Sequence, residues 1–242
     1  MDELEFLLEV AIQNPHYRPM FYEKISGFEV FVITDYGSYV DENNQSHSIK
    51  RLRKTDGSEI IPFFSTIEKL HEFEGKNALY SSMRIHELFD NIRGYEAVLN
   101  PGMEISKEFS MKEVEFIADD KIFKPSREAG IGEGSEIIIS TPDDYPQEMI
   151  ERLKKLFEIE HEIEFAYLFQ YSMENEENES PKYMVIIKTN GDFEKEAGKA
   201  IIAIEGSLEK NARVDFIEYD TSTGIEEIVE QYFIPFYVKE NK

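Results

Sequence analysis

The sequence predicts an α+β protein built of two domains, each a small mixed β-sheet with helices packed on it. The chain has 242 residues, of which 41% are hydrophobic and 13% are aromatic, and this is enough apolar material for packed cores. Its length fits one large domain or two small ones. Segments with helical spacing of apolar residues alternate with short apolar runs that are typical of strands. Residues 119–135, rich in Gly, Pro and acidic side chains, separate this pattern into two halves.

The first half begins with a helix, because leucines recur at three- and four-residue spacing behind Asp2, which can cap it. Residues 28–34 are mostly apolar, which predicts a strand buried on both faces. The polar, turn-rich stretch 35–56 predicts a long hairpin loop between this strand and the next one.

Strands and helices continue to alternate through the rest of the first half. The sequence predicts strand 58–64, a helix capped by Ser65 or Thr66, strand 79–83, helix 85–92, strand 95–100 and a helix capped by Ser110. Pro62 cannot donate a backbone hydrogen bond, so its strand is expected at an edge or an end of the sheet.

The second half has a clearer pattern. It predicts strand 137–140, helix 146–157, strand 163–171, strand 183–187, helix 194–208 and strand 213–217. The apolar stripe of the later helix consists of Ala197, Ile201, Ile204 and Leu208. The order β-α-β-β-α-β is that of the ferredoxin-like arrangement. The predicted organisation is a first domain at 1–122, a linker at 123–135 and a second domain at 136–242.

The charge of the chain limits its partners. It carries 50 Asp and Glu against 26 Lys and Arg, a formal charge of −24. Binding to nucleic acid or to an anionic lipid surface needs an excess of Lys and Arg, so a partner protein with a basic surface, or simply solubility, fits the charge better. There is no Cys, no basic secretory start and no apolar run of about 20 residues. The sequence therefore predicts a soluble, cytoplasmic protein.

Seven short segments carry a resemblance to a known family. They are 60–65, 98–101, 109–114, 141–142, 165–168, 214–216 and 235–237. In their order and spacing they resemble the SseB (enhanced serine sensitivity) family of bacterial proteins, which have an N-terminal and a C-terminal SseB domain. The resemblance implies this two-domain architecture and an association with altered sensitivity to serine. It implies no reaction and assigns no catalytic residue.

No motif predicts a catalytic residue, a metal site or a cofactor site. The run 130–134 has GxGxG spacing before a strand, whereas a dinucleotide site needs GxGxxG before a helix. The His-Glu pairs that begin at 71, 86 and 161 lack the second His of a zinc-binding HExxH motif. The acidic loop 174–179 lacks the calcium-binding EF-hand pattern, and no GxSxG nucleophile turn occurs. The sequence therefore favours a protein that is not an enzyme.

Residues 50–54 form a concentrated basic cluster in this acidic chain. Such a cluster can bind a phosphate or an acidic partner. Pairing with carboxylates of the same chain is favoured, because a short-range ion pair needs no partner.

The aromatic segment near residue 237 is a candidate interface. Its members are Tyr232, Phe233, Pro235, Phe236 and Tyr237. Chain termini fray unless they are held, and an exposed segment of this composition binds other surfaces. The alternative, which is favoured, is an edge strand or extended segment packed on the second sheet.

Three hypotheses for function follow. The first is a non-enzymatic cytoplasmic protein that acts through contacts with a protein of basic surface, with a homodimer left open. The second is a small-molecule or amino-acid sensor, or a weak enzyme, that uses the crevice between the domains. The third is an immunity-type protein that neutralises a basic toxin.

Overall fold

A computed structural model of the chain describes residues 1–41, 44–124, 137–173, 181–220, 229–231 and 233–240, with side chains outside 36–47, 137 and 173. The chain divides into two compact units. Unit 1 contains Met1–Asn14 and Met20–Ile122, and unit 2 contains Pro15–Pro19 and Phe123–Lys242. Helices and strands occur in both, so the α+β class is confirmed. The predicted linker 123–135 lies almost wholly outside the described residues, and the predicted domain boundaries remain a prediction.

From residue 3 to residue 118 the structure describes seven strands, five α-helices and the single 3-10 turn Pro15–Tyr17. The helices are α1 (Glu3–Gln13), α2 (Arg18–Ile25), α3 (Ile67–Glu74), α4 (Ile85–Asn91) and α5 (Met111–Ala118). The strands are β1 (Glu29–Asp41), β2 (Asn44–Ile49), β3 (Leu52–Arg53), β4 (Glu59–Phe64), β5 (Tyr80–Arg84), β6 (Glu96–Leu99) and β7 (Lys107–Phe109). They form one mixed sheet of order β2-β1-β4-β6-β7, in which β3 also pairs with β4 and β5 with β1.

Two predictions for this sheet are wrong. The stretch 35–56, expected as a loop, contains the paired strands β1 and β2. The strand that contains Pro62 lies in the middle of the sheet, between β1 and β6, and not at an edge. Pro62 pairs with Val98 of β6 on one side, and on the other side it falls in the gap between the residues of β4 that pair with β3 and those that pair with β1, where its missing N–H breaks no ladder bond.

Side chains alternate along the strands, so each face of the sheet has its own core. One face packs against α1, α2, α4 and α5, with Phe63, Phe89 and Phe109 in mutual ring contact at its centre. The other face carries a smaller group, Ile33, Phe64 and Leu70, under α3. The predicted caps Asp2 and Ser110 are confirmed, since each accepts a backbone hydrogen bond in a capping box.

Unit 2 contains a second sheet with two helices. The helices are α6 (Gln147–Ile159) and α7 (Phe193–Ile204), and the strands are β8 (Ile137–Ser140), β9 (Ile163–Met173), β10 (Lys182–Thr189), β11 (Arg213–Glu218) and β12 (Tyr237–Val238). The strand order is β11-β10-β9-β12, and β8 pairs with the same strand, β9, further along.

The ferredoxin-like detail is not confirmed, although the elements follow one another in the predicted order. In a split βαβ unit the two strands joined by a helix are parallel and have another strand between them. Here β8 and β9, which α6 joins, are antiparallel neighbours, and β10 and β11, which α7 joins, are parallel neighbours. Strand order depends on pairing between distant segments, which the spacing of apolar residues does not encode.

The helices of unit 2 pack on one face of its sheet, and aromatic residues cover the other face. The buried side of α7 differs from the predicted stripe, because Ile201 is 41% exposed whereas Glu196 and Lys199 are buried. Gly198 allows close packing there: a Cβ atom at this position would lie 1.8 Å from the carbonyl oxygen of Phe123.

The segment Pro15–Pro19 belongs to unit 2 through its contact with the end of α7. Arg18 Nη1 donates to the carbonyl oxygen of Glu205 at 3.0 Å, and Arg152 Nη1 donates to the same oxygen at 2.8 Å. Two guanidinium groups thus neutralise the carbonyl end of this helix, where the helix dipole favours positive charge.

Candidate functional site

Five polar side chains meet at one edge of the first sheet. They are Asp2, Glu5, Ser65, Lys69 and Asn100, here named the Lys69 cluster. The strands β4 and β6 run parallel, so their carboxyl ends lie side by side at this edge, and Ser65 and Asn100 follow them directly. Binding sites in sheets with parallel strands commonly lie at such an edge.

Lys69 is the centre of the cluster. Its Nζ lies 2.6 Å from Asp2 Oδ2, 2.7 Å from Glu5 Oε1 and 2.8 Å from Ser65 Oγ. Ser65 Oγ in turn donates to Asp2 Oδ2 at 2.7 Å. Both carboxylates come from the first turn of α1, so the cluster fixes this helix to the start of α3.

Asn100 completes the cluster from the side of β6. Its Nδ2 donates to Ser65 Oγ at 3.1 Å and to Glu5 Oε1 at 3.3 Å, and its Oδ1 accepts from the backbone N–H of Ser65 at 3.0 Å. Asn100 is fully buried and has φ +49, in the left-handed region that Asn tolerates better than most residues.

The charges of the cluster decide what it can do chemically. Burial alone would raise the pKa of Asp2, but hydrogen bonds from Lys69, from the Glu5 backbone N–H and from Ser65 outweigh burial and lower it. Burial alone would lower the pKa of Lys69, and its bonds to Asp2 and Glu5 outweigh burial and raise it. Lys69 is therefore a firmly protonated ammonium and does not act as a base toward the Ser65 hydroxyl.

Sequence reasoning singled out Asp2 as a cap and Ser65 as a candidate cap, but it missed the cluster. Thr66 is the cap of α3, which leaves the Ser65 hydroxyl for Lys69. The signals in the sequence are Asp-x-x-Glu at the start of α1 and Ser-x-x-x-Lys at the start of α3, each of which puts two polar groups on one side. Two of the segments that carry the family resemblance, 60–65 and 98–101, end in this cluster.

A second lysine between two carboxylates lies in unit 2, and this one is buried. Lys199, 4% exposed, contacts Glu160 Oε2 at 2.6 Å and Glu196 Oε1 at 3.3 Å; these three residues are the Lys199 triad. Burial raises the pKa of Glu196, against the opposing effect of Lys199. The bonds to Glu160 and Glu196 outweigh burial and raise the pKa of Lys199.

The basic cluster 50–54 pairs with carboxylates of the same chain, as the sequence favoured. Lys50 pairs with Glu74, Arg51 with Glu59, and Lys54 with both Glu96 and Glu108. Arg51 also stacks over the Tyr95 ring, with its Cζ 4.5 Å from the centroid. The hydrogen bonds of Lys54 to Glu96 and Glu108 raise the pKa of its ammonium group.

The remaining sequence candidates are not brought together. The glycine run 130–134 and the acidic loop 174–179 lie outside the described residues. The imidazole of His71 contacts the Tyr80 ring, and that of His86 lies 4.0 Å from Asp120. Within the described ranges, no three His, Asp or Glu side chains are grouped in a way that holds a metal ion.

The aromatic members of the candidate interface point into unit 2, except Tyr232, which lies outside the described residues. The Phe233 ring meets Phe169 with centroids 4.4 Å apart, and the rings of Phe236 and Tyr237 both pack on Phe157. Tyr237 also donates to the carbonyl oxygen of Phe157 at 2.9 Å. Pro235 is half-buried.

The exposed apolar side chains of this segment are aliphatic. Ile234 is 90% exposed and Val238 is 59% exposed. Neither was predicted as an interface residue, because the prediction rested on the aromatic side chains and the proline. A role of the segment as an interface remains a prediction.

The fold and these clusters define an α+β protein of two compact units, the first of which contains a partly buried polar network. Comparison with protein families makes this specific. The SseB protein N-terminal domain matches residues 4–115 and the SseB protein C-terminal domain matches residues 131–239, so the chain belongs to the SseB family.

Two curated relatives extend over the same length. Protein SseB of Escherichia coli (strain K12) and Protein SseB of Shigella flexneri are each 25% identical to the chain over 239 residues, which covers 98% of this chain and 92% of theirs. No solved structure matches the chain. Within the described residues, no helix is both long and apolar enough to cross a bilayer.

Proposed function

We propose that the chain is a non-enzymatic, cytoplasmic binding protein that recognises a partner protein through the partner's basic surface. The observation that carries this proposal is the charge of −24, from 50 acidic and 26 basic side chains. A field of this sign concentrates basic partners near the surface and speeds their association. The absence of Cys agrees with a reducing compartment.

Many of the described basic side chains form ion pairs within the chain. Those in ion pairs include Arg18, Lys50, Arg51, Lys54, Lys69, Arg93, Lys107, Lys121, Arg152 and Lys199. Their positive charge is neutralised next to carboxylates of the chain itself. The excess carboxylates are therefore the charges that remain for a partner.

One end of the second sheet gathers such carboxylates. They are Glu162, Glu164, Asp192 and Glu218, here named the acidic end. Glu162 and Glu164 meet the loop after β10, where Asn190 donates to the Glu162 carbonyl and to Glu164 Oε1, each at 2.9 Å. Glu218 lies at the end of β11, opposite Ile187. None of the four forms an ion pair with any residue that the structure describes.

The lysines also support binding over catalysis. A catalytic lysine base needs a lowered pKa, usually from burial without a counter-ion. The pKa values of Lys69 and Lys199 are instead raised, because two carboxylates face each ammonium group.

The test is retention of proteins from a host lysate on the immobilised full chain at low and at moderate salt. We expect retained partners at low salt and a steep loss as salt rises, because screening weakens contacts between exposed charges. A variant in which the acidic end carries the matching amides should retain less.

The control removes four exposed carboxylates from unit 1. These are Glu72, Glu87, Glu104 and Glu115. The two variants have the same net charge, so a difference between them locates the contact. If the wild-type chain retains no protein at low salt, the proposed function is wrong.

A further inference from the structure

The turn between β10 and α7 contains the dipeptide Asn190–Gly191. It is the one place in the sequence where glycine follows asparagine. Glycine has no Cβ, so its backbone nitrogen is less shielded than that of other residues. In such a pair this nitrogen can attack the side-chain amide of the asparagine, and asparagine is one of the residues that proteins lose to heat. Both residues are exposed, so water reaches them.

The reaction is deamidation, and its only co-reactant is water. The Gly191 nitrogen loses its proton and forms a bond to Asn190 Cγ, and the Cγ–Nδ2 bond breaks. The lost proton passes through water to the leaving nitrogen, which departs as ammonia and leaves a cyclic imide. Water then opens the imide either at Cγ, which gives aspartate, or at the main-chain carbonyl carbon, which gives isoaspartate. Both products carry a negative charge where the amide was neutral.

Hydrogen bonds in the folded turn engage both reacting groups. The Gly191 N–H donates to Thr189 Oγ1 at 3.0 Å. The first step removes this same proton, and a hydrogen-bonded amide loses its proton only after the bond opens. Asn190 Nδ2 donates to Glu164 Oε1 at 2.9 Å. Because a carboxylate only accepts hydrogen bonds, this contact fixes the orientation of the amide, and donation to an anion makes its carbonyl carbon less open to attack.

The backbone of the turn is fixed as well, by Glu162 at the start of β9. The Asn190 N–H donates to the Glu162 carbonyl oxygen at 2.9 Å, and Thr189 Oγ1 donates to the same oxygen at 3.2 Å. A Cβ atom on Gly191 would lie 3.1 Å from Glu162 Cγ, so the turn packs closely on this side chain. Opening of the turn therefore breaks several hydrogen bonds together.

We infer that Asn190 is the site at which this chain deamidates, and that the bonds to Thr189 and Glu164 hold the rate down in the folded protein. The product places a carboxylate where Nδ2 now donates to Glu164, so an attractive contact becomes a repulsion between like charges. Isoaspartate also lengthens the backbone two residues before Asp192, whose side chain caps α7.

The experiment incubates the full chain at mildly alkaline pH, both folded and unfolded in urea. Peptide mapping by mass spectrometry follows the mass gain at each asparagine, and chromatography separates the aspartate and isoaspartate products. The variants are T189V, which removes the acceptor of the Gly191 N–H, and E164A, which removes the partner of Nδ2. The control is E218A, which removes the same charge from another position of the acidic end.

We expect folded wild type to deamidate at Asn190 more slowly than the unfolded chain, by about tenfold or more. T189V and E164A should each raise the folded rate severalfold, and E218A should leave it unchanged. In urea all four chains should react at the same rate, because only the folded turn differs between them. If T189V does not fold, E164A carries the comparison alone.

Three results would overturn the inference. Equal rates in the folded and unfolded wild-type chain would show that the turn gives no protection. Folded rates of T189V and E164A equal to that of wild type would show that these hydrogen bonds do not control the reaction. Faster modification of another asparagine in the folded chain would show that the site is wrong. No partner takes part in these measurements, so they are independent of the proposed function.

Discussion

Each unit places one lysine between two carboxylates, and the two lysines differ in burial and in surroundings: Lys69 is half-buried and Lys199 is buried. In the Lys69 cluster, the uncharged groups of Ser65 and Asn100 share the hydrogen bonds with the ions. In the Lys199 triad, the contacts of the ammonium group within the described part of the chain are the carboxylates of Glu160 and Glu196. The same three charges are thus part of a hydrogen-bonded network in one unit and a simple ion triad in the other.

The pKa values of the carboxylates reflect this difference between the Lys69 cluster and the Lys199 triad. The pKa of Asp2 is lowered, because its hydrogen bonds outweigh burial, whereas the pKa of Glu196 is raised, because burial outweighs Lys199. A buried ion pair stabilises a fold only if hydrogen bonds replace the lost water. The Lys69 cluster meets this condition and the Lys199 triad meets it less well, so the two should respond differently to substitution.

The largest effect is expected for K69M. It leaves the buried carboxylate of Glu5 and the half-buried carboxylate of Asp2 without a counter-ion, which destabilises unit 1 by about 3 kcal/mol. The matched K199M should destabilise unit 2 by less, because Glu196 can take up a proton. Hydrogen exchange at increasing urea concentrations measures the unfolding free energy of each unit separately. Equal losses in the two variants would show that the neutral partners Ser65 and Asn100 add nothing.

A substitution at Gly198 tests how closely α7 packs against the backbone at Phe123. In G198A the new Cβ meets the Phe123 carbonyl oxygen, so the helix must shift, and we expect unit 2 to lose about 3 kcal/mol. The control is G27A, where the Cβ would meet only the Lys24 carbonyl oxygen at 3.7 Å and the change should be small. Thermal unfolding by calorimetry compares them. A G198A chain as stable as wild type would contradict the close approach.

The pH dependence of the two carboxylates should have opposite signs. The folded pKa of Asp2 lies below its ordinary value of 3.8, so Asp2 stabilises unit 1 above that pH and this contribution is lost as pH falls through the folded pKa. The difference in unfolding free energy between wild type and D2N should therefore shrink from pH 5 to pH 2, by about 1–2 kcal/mol. A difference that does not change with pH would mean that Asp2 acts only as a cap.

The smallest effect is expected for E196Q. The folded pKa of Glu196 lies above its ordinary value of 4.5, so its ionisation opposes folding as pH rises through and above that value. At pH 7, E196Q should change the stability of unit 2 by about 1 kcal/mol or less, toward greater stability. Hydrogen exchange in α7 measures this. A clear loss of protection would show that the Glu196 charge is needed.

Local features of the fold were predictable and long-range ones were not. The caps Asp2 and Ser110 follow from a residue and its neighbour three positions away, which the sequence displays directly. The central position of the Pro62 strand and the order of the second sheet depend on partners far along the chain. Burial of a charge is not predictable from the sequence for the same reason. Lys199 lies outside the predicted apolar stripe of its helix, and it is buried because α7 packs near the end of α6.

The candidate interface was only partly predictable from the sequence. The composition indicated Phe233, Phe236 and Tyr237, and the structure shows that these rings hold the segment against Phe169 of β9 and Phe157 of α6. Ile234 and Val238 were overlooked, because single aliphatic residues in a sequence give no sign of exposure. Which residues of an amphipathic segment face outward is decided by the strand it joins.

The membership of Pro15–Pro19 in unit 2 bears on how this molecule can be divided. A gene fragment that starts near residue 123 would encode the second sheet and both of its helices but would omit Arg18. The Glu205 carbonyl would keep Arg152 and lose its other cationic donor. Expression of the second half alone therefore calls for a version in which the early pentapeptide is supplied, either fused ahead of residue 123 or added as a separate peptide.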